Sequence, residues 1–79
     1  MLWGDYMFLS AAEKIRILLK RRNMSIKQLA DILGVTSQNV CNKLSRNNFS
    51  EKELIEIAAA LDCTYNAVFT MNDSGVELK

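Results

Sequence analysis

Three times in the first 60 residues a serine is followed three places later by a glutamate or glutamine and then by apolar residues: Ser10-Ala11-Ala12-Glu13, Ser25-Ile26-Lys27-Gln28 and Ser50-Glu51-Lys52-Glu53. Each is a capping box. The serine hydroxyl accepts from the amide three residues on, and the longer side chain reaches back to the serine amide, so two donors that a helix start leaves unpaired are satisfied. Three such starts in so short a chain leave room for little besides a small set of packed helices.

Helical spacing gives each start a buried stripe. Behind Ser10, residues Ala11, Ala12, Ile15, Leu18 and Leu19 share one face, and Lys20-Arg21-Arg22 closes the helix with charge suited to its C-terminus, with Asn23 as the left-handed terminator. Behind Ser25, residues Ile26, Leu29, Ala30 and Leu33 form the buried face of a helix of about two turns. Gly34 ends it, because the left-handed conformation after a helix is cheapest for glycine. Thr36 caps a third helix from Ser37 to about Arg46, so only Gly34 and Val35 separate the second helix from that cap, and the pair must turn sharply. Behind Ser50, residues Leu54, Ile57, Ala58 and Leu61, with Ile55 and Ala59 beside them, mark a helix apolar enough to be the central core element.

Beyond Asp62 the period changes. In Thr64 to Met71, TYNAVFTM, Tyr65, Ala67, Phe69 and Met71 alternate with Thr64, Asn66, Val68 and Thr70, and Asn72-Asp73-Ser74-Gly75 is a turn signal before a second alternation, Val76 to Lys79. Two readings stand for this end, a strand or small hairpin and a fifth short helix capped by Thr64. The fold class is therefore mainly α, with four to five helices and a C-terminal β-strand or hairpin as the alternative to the fifth.

With 49% hydrophobic residues, three glycines and no proline, the chain makes one domain and has no room for a second core. A domain this small buries only about 60% of its unfolded surface, so a partner subunit would add stability. Cys41 and Cys63 stand 22 residues apart and histidine is absent, which removes ordinary zinc spacing and a Cys-His nucleophile pair. Both cysteines read as small packing residues, Cys41 beside Val40 in a tight helix contact, in a reduced cytosolic chain. No enzyme, cofactor, metal or small-molecule ligand is expected, because no glycine-rich phosphate loop or nucleophile-base pair is present. The apolar N-terminus (Leu2, Trp3, Tyr6, Met7, Phe8, Leu9) lacks the basic start of a signal peptide, and no run approaches a membrane span. It is expected either to fold over its own core or to join a subunit interface.

The formal net charge of +1 conceals a division. Between Lys14 and Asn48 eight basic residues face the single acid Asp31, a net of +7, whereas the remainder carries two basic residues against eight acids, a net of −6. Segregation of this kind suggests a polyanion footprint, the alternative being a dipolar surface with no partner. It coincides with the helix pair.

The third helix spends its surface in an uncommon way. VTSQNVCNKLSR, Val35 to Arg46, sets Thr36, Ser37, Gln38, Asn39 and Asn42 against two large aliphatics, Val40 and Leu44. Asn and Gln are not the best helix formers, but they bond bidentately to adenine in the major groove. With Val40 and Leu44 inward, helical spacing turns Ser37, Gln38, Asn42 and Lys43 outward as candidate base contacts, and Asn39 serves either a base or the cap of its own helix. Candidate phosphate contacts are Ser25 and Thr36 at helix N-termini, Lys27 and Arg46 beside the groove-facing surface, and Arg21, which with Arg22 reads equally as a solvated helix end.

Short helix, glycine turn and capped short helix, here MSIKQLADILGVTSQNV (Met24 to Val40), together with ELIEIAAALDC (Glu53 to Cys63), resemble the lambda repressor and Cro-like, or XRE-type, helix-turn-helix family. The likeness spans about Ser10 to Phe69. Lys43 stands where such proteins usually carry an aliphatic residue, with Leu44 one place further on, and the strand-like end is closer to the Cro type. The resemblance implies a bacterial or phage-type cytoplasmic repressor that binds double-stranded DNA as a homodimer on a pseudo-palindromic operator. It divides the chain into an apolar segment 1–9, a DNA-binding domain 10–62 with its helix-turn-helix at 25–46, and a dimerisation element 63–79. An antitoxin-like or adaptor module that uses the same fold to bind a protein is the rival expectation.

Overall fold

All three capping boxes form. In the computed structural model, which describes residues 9–78, the Ser10, Ser25 and Ser50 hydroxyls accept from the amides of Glu13, Gln28 and Glu53 at 3.1–3.2 Å. The return bonds to the serine amides are present in each. They open α1 (Ala11–Arg21), α2 (Ile26–Leu33) and α4 (Glu51–Ala60), and Thr36, whose Oγ1 accepts from the Asn39 amide at 3.1 Å, opens α3 (Ser37–Arg46).

The four helices also end alike. Asn23, Gly34, Asn47 and Asp62 each adopt a left-handed backbone, with φ between 51° and 73°. After each, the next amide reaches back to a carbonyl five residues earlier: Met24 to Leu19, Val35 to Ala30, Asn48 to Lys43 and Cys63 to Ala58. This pairing satisfies carbonyls that a helix end leaves free. A Cβ added at Gly34 would meet nothing within 4 Å, so glycine serves there for its backbone freedom alone.

The buried core takes Ala12, Ile15 and Leu19 from α1, Leu29 and Ala30 from α2, Val40 and Leu44 from α3, and Ile57 and Ala58 from α4, with Leu61 just beyond. The helix α2 packs on α3 and α4, and α1 packs on α3. The largest fully enclosed side chains are Leu29 of α2 and Leu61 just beyond α4, and Ala30 of α2 is 1% exposed, so α2 sits at the centre of the core. Ile55 is 51% exposed, because its position turns it away from the face that carries Ile57 and Ala58.

Three polar clasps join elements distant in sequence. Arg22 Nε donates to the Leu61 carbonyl at 2.9 Å and its Nη2 to the Asp62 carbonyl at 3.1 Å, tying the end of α1 to the end of α4. The Asn47 Oδ1 accepts from the Ala12 amide at 3.0 Å, and Lys43 of α3 pairs with Glu53 of α4. Arg22 is thus a structural clamp, where the sequence left it open between a phosphate contact and a solvated end.

After Asp62 the chain forms an antiparallel hairpin, β1 (Phe69–Thr70) with β2 (Glu77–Leu78), in which Phe69 faces Leu78 and Thr70 faces Glu77. No fifth helix occurs among the described residues, and of the alternating run Thr64 to Met71 only Phe69 and Thr70 enter the ladder. The turn at Asn72-Asp73-Ser74 is closed by Gly75 donating to the Met71 carbonyl at 2.7 Å. The apolar N-terminal residues, apart from Leu9, lie outside the described residues.

Candidate nucleic-acid interface

Val40 and Leu44 are 4% and 3% exposed, and this i, i+4 pair seats α3 against the core and fixes which of its faces meets solvent. On the opposite face Gln38, Asn42 and Arg46 follow at four-residue intervals, all exposed. They form one row. Within it the Gln38 Nε2 donates to the Asn42 Oδ1 at 3.0 Å, so two of the anticipated base-reading side chains are held together before any partner arrives.

The other two anticipated base contacts sit elsewhere. Ser37 is half-buried at the first turn, and Lys43 turns sideways into the cleft between α3 and α4. There its stem lies with Leu33, Val35, Phe49 and Ile57, and its ammonium pairs with Glu53, each side chain being 32% exposed. Leu44 seats the helix together with Val40, which leaves position 43 to cover this cleft. Lys43 is therefore not on the row with Gln38 and Asn42.

Glu53 uses both carboxylate oxygens, one toward Lys43 and one accepting from the Ser50 amide at 3.0 Å. The Lys43 hydrogen bond, followed by that from the Ser50 backbone, lowers its pKa to about 2 from 4.5. The carboxylate stays charged across the ordinary pH range and holds Lys43 in place.

Among the candidate phosphate contacts, Ser25 and Thr36 spend their lone pairs on capping, but each hydroxyl keeps a hydrogen to donate. The Lys27 Nζ lies 3.7 Å from the Asp31 Oδ2, with both side chains mostly in water, a pairing that competes weakly with a phosphate. Arg21 and Arg46 are exposed in the last turns of α1 and α3. The Asn39 side chain lines the α3–α4 cleft, and it is the backbone amide of Asn39 that Thr36 caps.

Cys41 and Ser45 are exposed on α3, each three residues after a member of the amide row. Cys41 was expected in a tight helix contact. One residue beyond Val40 is about 100° around the helix, which carries it clear of the core. The same count of turns from Val40 and Leu44 marks Ser45 as outward-facing, a signal the reading of the amides alone passed over. Cys63 is half-buried and packs against the core, as expected.

A capped α2, a left-handed glycine turn and an α3 seated by two aliphatics with amides outward define a helix-turn-helix DNA-binding domain. The chain belongs to the Cro/C1-type helix-turn-helix DNA-binding domain family, whose model matches residues 14–73. No curated protein and no solved structure matches it. Among the described residues no helix is long and apolar enough to cross a membrane, and no group of three or more His, Cys, Asp or Glu side chains is arranged to hold a metal ion.

Proposed function

We propose that this protein is a sequence-specific transcriptional regulator, a repressor that occupies a pseudo-palindromic operator as a homodimer in the cytoplasm of a bacterium or of a phage-infected cell. The observation that carries the proposal is the exposed Gln38–Asn42–Arg46 row on a helix whose opposite face is anchored in the core. The helix α3 enters the major groove, with Gln38 and Asn42 at base edges and Ser37 at the entry of the helix. Ser25, Thr36, Lys27, Arg21 and Arg46 contact phosphates. Lys43 reaches the DNA only by leaving Glu53, and so contributes less to base reading than the two amides. The protein catalyses no reaction and needs no cofactor.

The dimer reading rests on the hairpin. Phe69 and Leu78 face each other across the ladder and Met71 and Val76 lie two residues further toward the turn, so the four share one face, with exposures of 45–77%. A two-stranded hairpin is marginal by itself in water, and a second copy packed on this face would stabilise it. Residues 63–79 thereby serve as the dimerisation element beside a DNA-binding domain of residues 10–62. Two recognition helices in such a dimer lie about 34 Å apart, one turn of DNA.

Selection from a random duplex pool at two salt concentrations tests this reading. The expected product is a two-fold symmetric motif with half-sites about one helical turn apart, bound less tightly as salt rises. Gln38→Ala then weakens specific binding more than nonspecific binding, whereas Lys27→Ala weakens both. Retention that ignores salt and enriches no motif would assign the fold to a protein partner.

A further inference from the structure

Two lysines on the helix pair have an acidic partner, and the two pairings differ in kind. Lys27 and Asp31 stand one turn apart on α2 with side chains 78% and 67% exposed, so water already surrounds both charges and the pair opens at little cost. Lys43 and Glu53 come from different helices, each side chain is 32% exposed, and Lys43 lines a cleft of about 180 Å³ with Leu33, Val35, Phe49 and Ile57. Glu53 is itself fixed. Its amide donates to the Ser50 Oγ at 3.1 Å and its second carboxylate oxygen accepts from the Ser50 amide at 3.0 Å, so it cannot follow the lysine outward. From this geometry and from the DNA-reading role proposed above, on which this inference rests, we propose that Glu53 is a positioning residue that withholds Lys43 from the phosphate backbone, leaving α3 with one cation fewer on DNA than its sequence supplies.

Without that hold Lys43 is placed to meet a phosphate. It lies one residue, about 100° of helix, beyond Asn42, which carries it off the amide row toward one wall of the groove. On that flank it stands three residues before Arg46, the exposed guanidinium already proposed to contact a phosphate, with the two Cβ atoms about 5–6 Å apart. An ammonium on a flexible four-carbon stem is a point charge, and it needs no fixed approach to pair with a phosphate oxygen. What separates the two cations of this flank is Glu53.

Leaving Glu53 costs Lys43 on two counts. A charge-assisted bond between half-buried groups is lost, and the apolar cleft that the lysine stem covers is opened to water. A phosphate has to offset both, whereas Lys27 gives up only a solvated pairing. Phosphate contacts position a protein without reading sequence, so the withheld cation affects the strength and the salt dependence of binding and leaves the motif alone. Each phosphate neutralised contributes about 0.9 to the slope of log affinity against log salt. The native protein is one such contact short.

The test compares four full-length proteins: native, Glu53→Gln, Lys43→Met and the double variant. Glutamine keeps an oxygen for the Ser50 amide and removes the charge, and methionine keeps an apolar stem over the cleft and removes the ammonium. Affinity is measured from about 50 to about 200 mM salt, on the duplex selected from the random pool and on a scrambled duplex of the same length. Glu53→Gln is expected to steepen the salt slope by about 0.9 on both duplexes with its selected motif unchanged, so that its gain over the native protein shrinks about 3.5-fold across that range. In the Lys43→Met background the same substitution is expected to move the slope by less than half as much. A Glu53→Gln slope that matches the native one would overturn the proposal, and so would a shift of half or more without Lys43, which would trace the effect to the lost carboxylate charge. A new base preference in Glu53→Gln would overturn the phosphate assignment in favour of base reading by Lys43. A native protein that enriches no motif and ignores salt would overturn the DNA-reading role itself, a separate result from those. Circular dichroism at the binding temperature confirms that the helices of each variant are intact.

Discussion

The Asn47 side chain caps the N-terminus of α1 while its backbone terminates α3, 35 residues away: its Oδ1 accepts from the Ala12 amide at 3.0 Å, and its own φ is 51°. One residue therefore solves two helix-end problems, an unpaired donor in the first turn of α1 and a left-handed step after the last turn of α3. Asparagine suits both tasks. It tolerates the left-handed region better than other residues with a Cβ, and its short amide reaches a neighbouring amide.

Substitution separates the two roles. Asn47→Gly retains the easy backbone and loses the cap, at a cost of about 1 kcal/mol. Asn47→Ala loses the cap and also the asparagine side chain's tolerance of the left-handed region, for a total of about 2–3 kcal/mol. Thermal unfolding should rank the proteins Asn47, Gly, Ala, with the glycine variant roughly 4–8 °C below the native chain. A glycine variant as stable as the native protein would mean that the Ala12 contact contributes no more than the left-handed strain that glycine relieves.

The Lys43–Glu53 pair predicts a specific pH dependence. Glu53 has a folded pKa of about 2 against an ordinary 4.5, so the charged form is favoured by folding. Its contribution is complete above pH 4.5 and disappears as pH falls from 4.5 toward 2. Glu53→Gln keeps the capping box in kind but removes the charge, and should cost on the order of 0.5–1 kcal/mol at neutral pH. The difference in melting temperature between the two proteins should narrow through that acid window and vanish near pH 2. A difference that persists unchanged at pH 2 would show that packing, and not the charge, is what Glu53 supplies.

The proposed homodimer predicts that charge on the hairpin face separates the copies. Phe69→Asp or Leu78→Asp should weaken self-association by about tenfold or more, measured by sedimentation velocity. The helical signal should be unchanged, since both residues are 59–77% exposed and neither belongs to the core. Half-site DNA binding should persist while the two-site complex is lost. A native protein that remains monomeric at high concentration, or aspartate variants that associate as the native chain does, would remove the hairpin from the dimer.

Local chemistry determined where this chain's helices begin and end and which stripe of each is buried. Ser10, Ser25, Thr36 and Ser50 cap within three residues of themselves, and Gly34 and Asn23 terminate by their own backbone preferences. Such interactions are complete inside one turn, so spacing alone reveals them. The helix-turn-helix and the outward position of Gln38 and Asn42 follow from the same arithmetic. What only the tertiary structure decided is how the longer polar side chains are spent. Lys43 and Arg46 look alike in sequence, yet Lys43 is held by a carboxylate on another helix while Arg46 stays exposed. Arg21 and Arg22 are neighbours, yet only Arg22 meets the Leu61 and Asp62 carbonyls. The choice between a fifth helix and a hairpin after Asp62 is of the same kind, because Thr64 is a sound helix cap and the ladder depends on Glu77 and Leu78 returning from beyond the turn. Flexible side chains and short strands take their partners from whatever packing brings near, and that geometry exists only once the core has closed.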